Sequence, residues 1–184
     1  MNIPNRITLL RIALLPLFLA VVLIEAIPYR QFIGAVIFLV CALTDLYDGY
    51  YARKYHMVTD LGKFLDPIAD KLIVAAALVV LLQWGRVGPI SVIVILSREF
   101  IVSAFRTVAA NNGLVISAGP LGKIKTVLQD VAIVMLLIDN WPFSYIGLPL
   151  AQLVMLAAVV MTLWSGIDYI VRNWHVVSGQ GKEG

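Results

Sequence analysis

Four aspartates fall in two close pairs, and their spacing is the first sign of chemistry in this sequence. Asp45 and Asp48 stand three apart in Asp45-Leu46-Tyr47-Asp48-Gly49, and Asp66 and Asp70 stand four apart in Asp66-Pro67-Ile68-Ala69-Asp70-Lys71. On helices, both spacings place the two acids on one face. Hard carboxylate oxygens suit Mg2+, Mn2+ or Ca2+, and four of them sharing two ions about 4 Å apart make a clamp that stabilises phosphoryl transfer. A single acid has a plainer reading: Asp66 ahead of Pro67 has the form of a helix cap. Caps do not account for a second acid one turn deeper, so the pairs are read as a metal site. Gly49 and Ala52 remove side-chain bulk beside the acids, leaving room for a phosphate or a neighbouring helix, and Arg53 carries a fork suited to a pyrophosphate.

The elements that must hold these acids are membrane helices. The chain has 184 residues, of which 61% are hydrophobic and 14% charged, a balance too apolar for a water-soluble domain of this length. A hydrocarbon layer of roughly 30 Å needs about 20 apolar residues per helical crossing. Six windows qualify, at about 7–25, 32–51, 67–82, 88–110, 122–138 and 146–171. They lack the alternation of a barrel, which leaves an all-α, polytopic six-transmembrane-helix bundle as the expected fold. Arg6, Arg11, Arg53, Lys54, Lys63, Lys71, Arg106, Lys123, Lys125, Arg172 and Lys182 collect on one side, and the opposite loops offer only Arg30 and Arg86. The basic side is therefore expected to be cytoplasmic, with both termini there. One domain, residues 1–177, is expected, followed by a short flexible cytoplasmic tail, 178–184. The charge, formally +3, suits anionic lipid and phosphorylated substrates. Nucleic acid is excluded as a partner, because the basic residues sit among apolar helices without a soluble binding module.

A second polar group lies in the fourth and fifth spans. Arg98-Glu99, then Ser103 and Arg106, are followed by Lys123 and Lys125 at the entrance to the fifth. Arg98, Arg106, Lys123 and Lys125 together suit a phosphate carrying nearly two charges, whereas a neutral or cationic alcohol gains nothing from them. Arg98 beside Glu99 inside an apolar span is costly unless the pair faces a polar cavity, and Glu99 is expected to orient or neutralise Arg98.

Residues 45–70, DLYDGYYARKYHMVTDLGKFLDPIAD, resemble the signature of the CDP-alcohol phosphotransferase family, D-x2-D-G-x2-A-R-x8-G-x3-D-x3-D. Asp45, Asp48, Gly49, Ala52, Arg53, Gly62, Asp66 and Asp70 occupy every fixed position. The resemblance implies two divalent ions, Mg2+ or Mn2+, on the four aspartates, Asp70 as general base, and a homodimer of six-helix subunits. It places Asp48, Gly49, Ala52, Arg53 and Gly62 at the CDP moiety of a CDP-linked lipid. The segments 2–11, 97–100 and 122–126 are similar to the family's glycerol-phosphate branch. That likeness implies CDP-diacylglycerol and sn-glycerol 3-phosphate as substrates, Asn5 and Thr8 near the mouth of the CDP-lipid site, and Arg98, Arg106, Lys123 and Lys125 on the acceptor phosphate. It also implies a multi-pass protein of the bacterial cytoplasmic membrane with its site facing the cytoplasm.

Two other readings are weaker. The same chemistry with another alcohol acceptor keeps the signature and discards only the cations. A Mg2+ channel needs polar residues across the whole bilayer, and the far halves of these spans are almost purely apolar.

Overall fold

A computed structural model describes the backbone of residues 3–54, 60–111, 116 and 119–177, and the side chains of 8–44, 68–110, 116 and 119–174. Six α-helices carry it: α1 (Ile3–Leu23), α2 (Arg30–Lys54), α3 (Asp60–Gln83), α4 (Pro89–Asn111), α5 (Pro120–Leu137) and α6 (Leu150–Val177). A short 3-10 turn, Phe143–Ile146, precedes α6, and no strand occurs among the described residues. Each helix answers to one expected apolar window.

Among the boundaries that differ from expectation, two starts bear on the reading. The third helix begins at Asp60, so Asp66-Pro67 lies well inside α3 and does not start it. In the sequence, Leu61, Phe64, Leu65 and Ile68 recur at helical spacing, a pattern that reads as helix on both sides of the proline. The sixth helix starts at Leu150, later than expected, because Ile146 belongs to the 3-10 turn closed by Gly147 in a left-handed conformation.

The chain forms two compact units. The first comprises Met1–Val87 with Ile133–Pro149. Within it α1 packs against both α2 and α3, and α2 packs against α3. Phe18 and Val22 of α1, Ala35, Phe38 and Cys41 of α2, and Ala77, Leu78 and Leu81 of α3 are among its buried apolar residues. The α1–α2 approach is close enough to require Gly34: a Cβ there would lie 2.4 Å from Cγ1 of Val22. Small residues permit such backbone proximity between apolar helices.

At one end of this unit Arg86 ties the turn after α3 to the end of α5. Its guanidinium donates to the carbonyls of Leu136 and Leu137 at 2.8 and 2.9 Å, pairs with Asp139 at 3.3 Å and lies over the Trp84 ring. Those carbonyls are among the last of α5, which lack helical partners of their own. Burial pulls the Arg86 guanidinium below its ordinary value, Asp139 opposes that and Arg30 adds to it. An arginine remains charged at physiological pH all the same.

The second unit comprises Gly88–Ala132 with Leu150–Gly184. Here α4 packs on α6. Ala151, Met155, Ala158, Thr162, Ser165 and Tyr169 form the buried stripe of α6, and Val92, Ile95, Val102 and Ala109 that of α4. The outer face of α6, with Leu156, Val160, Trp164, Ile167 and Val171, is exposed. Among the described residues one helix, over Leu150–Trp174, is long and apolar enough by itself to cross a membrane, and shorter apolar stretches cover Thr8–Leu23 and Arg30–Thr44.

Gly34→Ala is expected to overpack the α1–α2 contact and to destabilise the protein by roughly 1–3 kcal/mol. Thermal unfolding in detergent reads this, and adding Val22→Ala, which removes the clashing methyl, is expected to restore part of the loss.

Candidate functional site

The acid pairs lie on α2 and α3, two helices that pack on each other in the first unit. Helix α2 runs without a break through 45 and 48, and α3 through 66 and 70, so both pairs stand at helical register. Asp70 is half-buried, beside the buried Ala69. The side chains of Asn5, Asp45, Asp48, Gly49, Ala52, Arg53, Gly62 and Asp66 lie outside the described residues. Among those that are described, no group of three metal-capable side chains gathers. The donor set nevertheless fits a divalent ion: four carboxylates supply hard, anionic oxygens and no competing soft ligand. Thr8 of α1 is wholly buried and Arg11, one turn later, nearly so. Thr8 thus has no exposed surface, a placement that its position near the start of the chain does not betray.

All four expected phosphate-binding cations lie in the second unit, in unequal settings. Lys123 and Arg106 are exposed, and the Arg106 guanidinium lies 5.7 Å from the centre of the Tyr169 ring. Arg98 is largely enclosed, donating through Nη1 to Glu99 at 3.3 Å and through Nη2 to Ser165 Oγ at 3.2 Å. Its Nε is buried with no hydrogen-bond partner among the described residues. Lys125 is buried to 1% exposure and donates to Glu99 Oε1, the same oxygen that Arg98 contacts. Glu99 is therefore the anion between two cations. A buried ammonium without such a partner costs several kcal/mol.

Arg98 reaches Ser165 across α6 because position 166 is glycine. A Cβ at Gly166 would stand 3.0 Å from Cγ of Arg98, and one at Gly122 would stand 3.6 Å from its Nη2. Sequence reasoning reached Arg98, Glu99 and Lys125 but not Ser165, Gly166 or the buried Gln129 and Tyr169. The available signal was a small polar pair, Ser165-Gly166, inside an otherwise apolar span.

Comparison with known proteins bears on what these groups do. The family model described as CDP-alcohol phosphatidyltransferase matches residues 1–164. The chain belongs to that family. A Bacillus subtilis (strain 168) relative is 46% identical, covering 96% of this chain and 97% of its own length. It bears the name CDP-diacylglycerol–glycerol-3-phosphate 3-phosphatidyltransferase. Relatives of the same name from Rickettsia bellii and Shigella flexneri serotype 5b are each 37% identical over more than 90% of both chains. The protein is accordingly a transferase of phospholipid biosynthesis, in a membrane-embedded family whose members generally use divalent metal ions.

Gly166→Ala is expected to push Arg98 from its seat, lowering the thermal midpoint by about 2–8 °C. Gly122→Ala, at ordinary contact distance and with better helix propensity, is expected to be neutral or mildly stabilising in the same measurement.

Proposed function

We propose that this protein transfers the phosphatidyl group of CDP-diacylglycerol to the primary hydroxyl of sn-glycerol 3-phosphate, releasing CMP and phosphatidylglycerophosphate. The observation that carries the reading is the likeness, over 96% of the chain, to a relative named for this reaction. The complete eight-position signature lies inside that likeness.

Asp45, Asp48, Asp66 and Asp70 would hold two divalent ions, Mg2+ or Mn2+. Such ions, when bound, neutralise charge on the diphosphate oxygens and on the departing CMP. The CDP moiety is received by Asn5, Asp48, Gly49, Ala52, Arg53 and Gly62, the glycine and alanine giving it room and Arg53 giving it a fork. Thr8, with its side chain buried, stands with Asn5 at the mouth of the CDP-lipid site. Arg98, Arg106 and Lys123 hold the acceptor phosphate, with Lys125 contributing charge from behind Glu99. Asp70 takes the proton of the attacking hydroxyl as its oxygen bonds to the lipid-side phosphorus and the bond to CMP breaks. The residues otherwise act by orientation and electrostatics.

The proposal extends to a multi-pass protein of the bacterial cytoplasmic membrane, six crossings with both termini and the site on the cytoplasmic side, assembled as a homodimer. What supports this is the placement of polarity. Thr8, Arg11, Lys125, Gln129, Thr162 and Ser165 are buried, whereas large apolar side chains are exposed on every helix. Acyl chains are the surroundings that such a surface fits.

Purified protein is expected to release CMP from CDP-diacylglycerol only with both sn-glycerol 3-phosphate and Mg2+ or Mn2+ present, and to stop in chelator. Release that requires serine, inositol phosphate or a second phosphatidylglycerol instead would overturn the acceptor while keeping the family. Asp70→Asn is expected to lower kcat by roughly 10^2-fold or more with CDP-lipid binding retained. A near-normal rate in that variant would remove Asp70 as base.

A further inference from the structure

Lys125 is the most deeply enclosed charged side chain among the described residues, at 1% exposure, and its ammonium meets the Glu99 carboxylate. An ammonium held there is not offered to an anion arriving from water. Arg98 differs. Of its five N–H donors, the hydrogen bonds to Glu99 and Ser165 account for two, and its side chain keeps 13% exposure. Both cations converge on one oxygen, Oε1 of Glu99, which links α5 to α4, while Ser165 and the bare backbone of Gly166 seat the same guanidinium on α6. The three side chains carry two positive charges and one negative, so the group retains the sign that a phosphate needs.

We propose that Glu99 and Lys125 are positioning residues: their buried ion pair fixes the Arg98 guanidinium for the acceptor phosphate, and Lys125 does not touch that phosphate itself. This rests on the proposed use of a phosphorylated acceptor. It also assigns a sign that the direct-contact alternative reverses. If Lys125 were a phosphate ligand and Glu99 its competitor, neutralising Glu99 would free a cation and tighten acceptor binding. A positioning pair predicts the opposite, because without the carboxylate Lys125 and Arg98 repel each other and the guanidinium leaves its seat.

The test is steady-state CMP release by the full-length protein in detergent at saturating CDP-diacylglycerol, with sn-glycerol 3-phosphate varied. Glu99→Gln and Lys125→Met are each expected to raise KM for sn-glycerol 3-phosphate roughly tenfold, with KM for CDP-diacylglycerol within about twofold of the unaltered protein. The double variant is expected to be no worse than the worse single, since both remove one device, and Glu99→Asp is expected to recover part of the loss. The double variant removes the buried ammonium together with its counter-ion and leaves Arg98 its hydrogen bond to Ser165, so it serves where a single variant fails to fold. A lower KM in Glu99→Gln, an unchanged KM in both singles, or fully additive losses would each overturn the pair.

A binding readout separates this from the acceptor assignment: the rise in melting temperature caused by inorganic phosphate, without turnover. Should the unaltered protein refuse sn-glycerol 3-phosphate, the acceptor reading fails. A phosphate-induced rise that is present in the unaltered protein and lost in the double variant still supports the pair, and an equal rise in both overturns it.

Discussion

A charge inside a helical bundle needs a partner at hand, and much of the second unit follows from that requirement. Lys125 is closed off from water against the Glu99 carboxylate, which Arg98 meets as well, and a buried charge left without its partner is strongly destabilising. The pairing also has a mechanical effect. It joins α5 to α4 through side chains, while Arg98 reaches on to Ser165 of α6, so three helices share one polar knot. Apolar packing alone is non-directional and tolerates many relative rotations of helices; hydrogen-bonded ions at stated atoms tolerate few.

The first unit answers a related demand at the ends of its elements. The last carbonyls of a helix have no helical donors, and Arg86 supplies them for α5 while its ring partner Trp84 and its ion partner Asp139 hold it in place. Between the helices the contact is apolar and close. Gly34 against Val22 brings α1 and α2 together, and α3, the carrier of Asp66 and Asp70, packs on both. The helices that bear the acid pairs are thus braced by each other and by α1. The proposed two-ion clamp would depend on that bracing, because carboxylates must be held at fixed separations for shared ions to stabilise developing charge.

The chemistry divides along the same lines. Carboxylates on α2 and α3 attract cations, and arginine and lysine side chains on α4 and α5 attract anions. The proposed reaction needs both, a metal-bound diphosphate and a phosphorylated nucleophile. Within the cationic set the environment sorts side chains of one charge into different tasks. Exposed Lys123 and Arg106 meet solvent, largely enclosed Arg98 is held by Glu99 and Ser165, and Lys125 is closed off.

Much of this was legible in the residues themselves. Long apolar windows announced six helices because crossing or packing in an apolar medium forces the backbone to bond within itself. The signature announced the family, because eight residue types at fixed gaps express a site built on two helices of known pitch. Local pattern was a poorer guide where two patterns competed: Asp66-Pro67 has the form of a helix start, whereas the apolar spacing of 61, 64, 65 and 68 reads as helix on both sides of it, and α3 begins at Asp60. Only the tertiary structure decided which cation faces solvent and which is committed to an anion. Lys123 and Lys125 stand two residues apart and read alike as sequence, but two residues turn a helix by about 200°, which leaves Lys123 exposed and sends Lys125 inward to Glu99. The need for glycine at 34 and 166 was equally hidden, since it arises from a neighbour on another helix, and no chain-local pattern encodes how near that neighbour comes.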